Sequence, residues 1–221
     1  MQRYNVTLQG ETGLIMHWDN LRWQERLKAW EKDPANAKTS IKGNDTSPAW
    51  RWIGNMYHEA GLVVLPSDNL MTMLREGGAM CPTGKGQTTY KRQTQSGIII
   101  DQSAWPLMVG DKPHTIDANK ILAMVDEEDF AVHEKTAQEM GFELLTKRAK
   151  IGQAKHVRVR PRFEGWQCGG TLTVTNDQIT REVLENIITF AGAYAGLCDW
   201  RPSSPRSPGP WGRFTGHITE A

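Results

Sequence analysis

The 221-residue sequence has no long apolar run. Leu62 to Leu65 and Ile98 to Ile100 are among its longest, far short of the ~20 residues that cross a bilayer. The polar opening, with Gln2, Arg3 and Asn5, does not read as a signal peptide, so a soluble, cytoplasmic protein is expected. Cysteine is scarce: Cys81, Cys168 and Cys198 stand far apart with no Cys-x-x-Cys pair. That pattern excludes a disulfide framework and a zinc ribbon and leaves reduced core thiols. Catalytic signatures are missing as well. The histidines His17, His58, His114, His133, His156 and His217 form no His-Glu-x-x-His pattern, and no Gly-x-Ser-x-Gly elbow occurs. The acidic run Asp126 to Asp129 lacks the spacing of a calcium loop. Gly78 to Gly86 approaches a phosphate-binding loop, but Ala79 stands where the first glycine is needed and Gly86 where a hydroxyl would hold magnesium. The expectation is a protein that is not an enzyme and uses neither metal nor cofactor.

Net charge is nearly absent too, at 26 Lys plus Arg against 25 Asp plus Glu, but its distribution is uneven. Lys147, Arg148, Lys150, Lys155, Arg158, Arg160 and Arg162, with His156 among them, fall in one stretch without a carboxylate. Seven of the 26 cations lie there, which leaves 19 to face the 25 acids elsewhere. Between Asp111 and Glu143 nine acids meet only Lys112, Lys120 and Lys135. Further cations without nearby acids are Lys85, Lys91 and Arg92, and Arg201, Arg206 and Arg213 face Asp199 alone. Segments of one sign can converge on an anion-binding surface.

With 38% hydrophobic residues the chain has material for a core, and its length suits a single elaborated domain. Tyr4, Val6 and Leu8 alternate with polar residues, the period of a half-buried strand. Asp19 or Asn20 is placed to cap a helix carrying Leu21, Trp23, Leu27 and Trp30. Residues 33–47 read as an exposed loop that carries Lys42. Leu62 to Leu65 is a strand followed at Ser67 by a helix, which Gly77-Gly78 would end. Residues 77–97, poor in large apolar side chains, predict an exposed loop or hairpin. Helices starting at Asp117 and Asp126 follow. Val157-Arg158-Val159-Arg160 alternates strictly, so Arg158, Arg160 and Arg162 share one face of a strand. A helix with Val183, Leu184, Ile187 and Ile188 on one side, then a strand at Arg213 to Ile218, complete an α+β pattern.

Nine of the 18 aromatics are tryptophan, and several adjoin cations, as in Trp50-Arg51-Trp52, Trp200-Arg201 and Trp211-Gly212-Arg213. Stacking of a base on an aromatic ring is worth roughly 1–3 kcal/mol and tolerates any sequence. Interleaved Arg and Trp therefore suit single-stranded nucleic acid better than duplex, although core packing competes for each ring. Residues 196–213 join four prolines, glycines and three arginines in one stiff loop.

Three segments carry a resemblance: Tyr4 to Thr12, Leu65-Pro66-Ser67-Asp68 through Arg75, and Ala195-Gly196 through Gly212-Arg213-Phe214. Their order resembles the RAMP superfamily, the modified-ferredoxin proteins that form the RNA-binding backbone of CRISPR effector complexes, and the whole is similar to proteins of bacteriophages and prophages. The resemblance implies a ferredoxin-like antiparallel sheet with helices on one face and inserted loops. It makes residues 77–97 a thumb, adds Ser67 and Arg75 to the nucleic-acid-binding set, and implies copies assembled side by side as a homo-oligomer or filament along a single strand in a bacterial host, with a phage source favouring ssDNA over RNA and a place in phage replication or recombination. Alternatives by resemblance are a phage protein that binds or mimics CRISPR proteins, and a metal-independent RNA endonuclease using His156 or His17.

Overall fold

The computed structural model describes residues 1–37, 47–151 and 154–221. In chain order the elements begin with β1 (Gln2–Gly10), β2 (Leu14–Ile15), α1 (Leu21–Lys32), α2 (Pro34–Ala37) and a 3-10 helix at Ala49–Asn55. There follow β3 (His58–Glu59), β4 (Leu62–Pro66), α3 (Ser67–Met80), α4 (Lys91–Gly97), β5 (Ile98–Ile100), β6 (Ala104–Val109) and β7 (Lys112–Pro113). The remainder comprises α5 (Ala118–Met124), α6 (Phe130–Glu139), β8 (Glu143–Ile151), β9 (Ala154–Phe163), β10 (Gln167–Val174), α7 (Arg181–Phe190), a π-helical turn at Ala191–Ala195, and β11 (Phe214–Glu220). The protein is α+β. No helix among the described residues is long and apolar enough to cross a membrane.

The chain divides into two compact units: Met1–Leu14, Leu62–His114 and Glu164–Ala221 form the first, Ile15–Gly61 and Thr115–Phe163 the second. The second unit is assembled from two insertions into the first, so no composition-shifted linker marks its limits in the sequence.

In the first unit the strands run in the order β11-β1-β10-β6-β4, and β10 also pairs with β5. Every one of these pairings is antiparallel. The alternation read in β1 holds, since Tyr4, Val6 and Leu8 are buried and their neighbours exposed. Leu172 and Val174 of β10 and Phe214 and Ile218 of β11 bury with them, each contributing roughly 1.5–3 kcal/mol of apolar burial. Helix α7 lays Leu184, Ile187 and Ile188 inward; its N-cap is Thr180, whose Oγ1 accepts from Val183 N at 3.3 Å. Gly77 and Gly78 do not end α3, which continues to Met80. A Cβ on Gly77 would collide with the Ile187 carbonyl and with the Ala191 side chain, so this glycine is where α3 and the end of α7 pass closest. Residues 77–97 are thus not one continuous loop: the end of α3 and the helix α4 flank a short turn closed by a Pro82–Thr89 bridge.

In the second unit, Asn20 Oδ1 accepts from Arg22 N at 3.2 Å and caps α1. Two acids of the acidic region are caps as well. Asp117 Oδ1 accepts from Asn119 N at 2.9 Å, and Asp129 Oδ1 from Ala131 N at 2.9 Å, which places carboxylates at the positive ends of α5 and α6. The core gathers Trp52, Phe142 and Phe163, with ring centroids 5.3 Å apart in both successive pairs. The indole N–H of Trp52 donates to His133 Nδ1 at 2.9 Å, and the opposite ring nitrogen lies 2.9 Å from the Glu127 carbonyl oxygen.

Candidate nucleic-acid interface

The cationic stretch forms the antiparallel hairpin β8–β9 of the second unit. Its register decides its electrostatics. At the base, Glu143 faces Arg162 and the two side chains form an ion pair. Toward the turn the facing positions are Lys147 with Arg158, Arg148 with Val157, Ala149 with His156, and Lys150 with Lys155. Like charges directly opposite each other destabilise an antiparallel pair, by the same 0.2–1 kcal/mol scale, roughly, that opposite charges stabilise it. The hairpin is compensated at its base and further out sets two like-charged pairs opposite each other, Lys147 with Arg158 and Lys150 with Lys155, at positions that alternate onto opposite faces. Lys147 is exposed; of Arg148, Lys150, Lys155 and His156 only the strand positions are described. Lys42 lies outside the described residues.

The three arginines of β9 do not share a solvated face. Arg158 and Arg162 are half-buried and Arg160 is 1% exposed, because the 3-10 helix and the segment before α1 cover the strand. Asn55 Nδ2 donates to the Val159 carbonyl at 2.9 Å, and Met16 N to the Pro161 carbonyl at 3.1 Å. His17 follows Met16, and its Nδ1 lies 3.5 Å from Arg160 Nη2, while its Nε2 lies 3.7 Å from Asp19 Oδ1. Burial, then the Arg160 charge, lowers the His17 pKa to about 4, with Arg158 and Arg51 adding to the effect and Asp19 opposing it. Burial, then Arg158 and Arg51, lowers Arg160 to about 9, with Asp19 and Tyr57 opposing, so it keeps its charge at neutral pH. Arg51 is lowered by burial and then by Arg158, with Glu31 opposing. Arg160 thus touches His17, and Arg51 and Arg158 act on both electrostatically.

An aromatic group adjoins this cluster. Trp18 stacks on Tyr57 with centroids 6.0 Å apart, and the edge of His58 meets it at 5.6 Å. Trp18 and Tyr57 are half-buried and His58 is exposed. Trp18 and Tyr57 are not among the candidates that the sequence supplies; the short runs His17-Trp18-Asp19 and Tyr57-His58 are the signal that points to them. The tryptophan chosen instead in this unit, Trp50, is 5% exposed. It packs 5.6 Å from Trp23 and beneath the Arg26 guanidinium at 4.9 Å, which removes it as a platform for bases.

The remaining candidates belong to the first unit. Trp200 is 4% exposed and is likewise a core ring. Arg201 holds Glu76 through Nε at 3.3 Å and Nη2 at 3.1 Å, and donates from Nη1 to the Cys198 carbonyl at 3.0 Å. Its donors fix the loop of residues 196–213 and are not turned to a ligand. Arg213 donates to the Ala193 carbonyl. Ser67 opens α3 and bonds through its N–H to the Ser103 carbonyl at 2.9 Å. Arg75 and Trp211 are half-buried, and Lys85, Lys91, Arg92 and Arg206 are exposed. Among the described residues no group of three or more His, Cys, Asp or Glu is arranged to hold a metal ion. No family model matches the chain, and no curated protein matches it.

Proposed function

We propose that the protein binds single-stranded nucleic acid without acting on it chemically, and that the second unit makes the main contact. The observation that carries this reading is the facing of Lys147 with Arg158 and of Lys150 with Lys155 across β8–β9. A polyanion bound at the hairpin, on the face of either pair or wrapped around both, offsets that repulsion and releases its own counterions. The half-exposed Trp18–Tyr57 stack beside the arginines supplies a face for unpaired bases, a feature that favours single strands over a closed duplex.

The first unit is, in this proposal, a ferredoxin-like frame. Supporting it, strands β1, β5, β10 and β11 lie in the order β11-β1-β10-β5 with α3 preceding β5 and α7 joining β10 to β11, the split βαβ arrangement of that fold. Copies would assemble side by side along the strand, the acidic Asp111–Glu143 region of one meeting the basic hairpin of the next. Fluorescence anisotropy of a labelled single-stranded oligonucleotide at low salt tests the reading. Saturable binding that outcompetes the matching duplex is expected, and no binding at low salt overturns it.

A further inference from the structure

We propose that the free edge of β11 pairs with the same edge of a second copy, joining two first units into one continuous antiparallel sheet with Ile218 at the two-fold axis. The inference concerns the first unit alone and does not rest on the nucleic-acid reading. Strand β11 ends the sheet order, with β1 on one side and no strand on the other among the described residues. Its ladder is bracketed by Glu11 N–H, which donates to the Arg213 carbonyl at 2.8 Å, and Ala221 N–H, which donates to the Arg3 carbonyl at 3.1 Å. Main-chain groups of alternate residues in such a strand point to opposite neighbours. Thr215, His217 and Thr219 therefore bond Gln9, Thr7 and Asn5 of β1, and the N–H and C=O of Gly216, Ile218 and Glu220 point outward. Of these outward groups only the Glu220 carbonyl has a further partner among the described residues, Asn5 Nδ2 at 3.5 Å.

Open edges are commonly blunted by lysine, proline, a bulge or a covering segment, each of which keeps other strands away. Residues 216–220 have no such device. They contain no proline, lysine or arginine, their register with β1 is unbroken, and Gly216, His217 and Thr219 are exposed. Cover begins only at Phe214, where the π-helical turn lies so close that a Cβ on Gly192 would collide with the Phe214 carbonyl. The open stretch is thus centred on Ile218. Antiparallel pairing about that centre sets Gly216 against Glu220 of the second copy and His217 against its Thr219. Every outward donor then meets an outward acceptor, the long Glu220 side chain faces a glycine, and Ile218, buried within its own core, meets its counterpart. A second copy fits because the strand complements itself in this register and sets no like charges opposite each other. Such a contact closes on two copies. Helix α7, which lies so near β11 that a Cβ on Gly216 would collide with Ile188, comes beside its counterpart on the same layer.

The test is sedimentation equilibrium of the full chain, freed of nucleic acid, together with hydrogen exchange of the β11 amides. A reversible dimer is expected. As it fills, exchange at Gly216, Ile218 and Glu220 should slow, while Thr215, His217 and Thr219, already bonded to β1, should change little. Two double variants at exposed positions probe the register. His217→Lys with Thr219→Lys sets like charges opposite each other twice and should weaken the dimer about ten-fold, whereas His217→Lys with Thr219→Glu sets opposite charges there and should keep it. A wild type that stays monomeric up to about 1 mM overturns the proposal. So does a dimer in which the three outward amides gain no protection, or one that the two variants leave equally strong. The wild-type exchange pattern decides alone should either variant not fold.

Discussion

Arg160 Nη2 stands 3.5 Å from Nδ1 of His17, with Asp19 3.7 Å from the other ring nitrogen. The imidazole is held neutral between a buried cation and an exposed anion. Its folded pKa of about 4 lies below the ordinary 6.5, so between these values the unfolded chain binds more protons than the folded one. Stability should rise with pH across that window and fall as pH drops from 6.5 toward 4. Chemical denaturation at pH 4.5 and pH 7 checks this. A His17→Gln variant should flatten the dependence, and an unchanged slope would show that His17 is not buried against Arg160.

Lys147 and Arg158 face each other across the hairpin. Exchanging repulsion for attraction by Lys147→Glu should stabilise the protein by roughly 0.2–1 kcal/mol and at the same time weaken oligonucleotide binding. Opposite signs for stability and affinity distinguish a functional cation from a structural one. Denaturant midpoints and anisotropy on the same preparation provide both readings.

Arg201 illustrates the structural case. Its two bonds to Glu76 and one to the Cys198 carbonyl predict a loss of roughly 1–3 kcal/mol for Arg201→Ala, with nucleic-acid affinity unaltered in the protein that remains folded. Arg206→Ala, at an exposed position, should leave stability within roughly 0.5 kcal/mol. Thermal unfolding of the two variants side by side decides the matter.

The close passage of α3 and the end of α7 at Gly77 predicts that Gly77→Ala lowers the melting temperature, through overpacking of roughly 1–3 kcal/mol. The usual gain of an alanine in a helix interior is ~1 kcal/mol. A rise in melting temperature would show that the helices are not in contact there.

That glycine also shows what a sequence conceals. Gly77-Gly78 reads as a helix stop, because the small side chain that permits a turn is the same one that permits two helices to touch. Local signals were legible: the alternation of β1, the Asn20 cap and the capping carboxylate Asp117 depend on neighbours a few residues away, whereas the next helix, expected from Asp126, starts three residues later with Asp129 as its cap. Partners distant in the chain were not. Arg201 is 125 residues from Glu76, and Arg160 is 143 residues from His17, so nothing local separates an arginine fixed to the protein from one available to a ligand. Trp50 and Trp200 adjoin arginines just as surface stacking residues would, yet both are buried. The cationic content of β8–β9 was evident; the register that sets like charges opposite each other required the structure.

The most direct test of the account is the salt dependence of single-strand binding, comparing the wild type with a Lys147→Gln, Lys150→Gln, Lys155→Gln triple variant. Each phosphate neutralised contributes about 0.7 to the negative slope of log affinity against log salt for single strands. The account predicts a slope shallower by about 2 in the variant, with the fold intact by circular dichroism. Equal slopes for the two proteins would contradict a nucleic-acid contact on the β8–β9 hairpin.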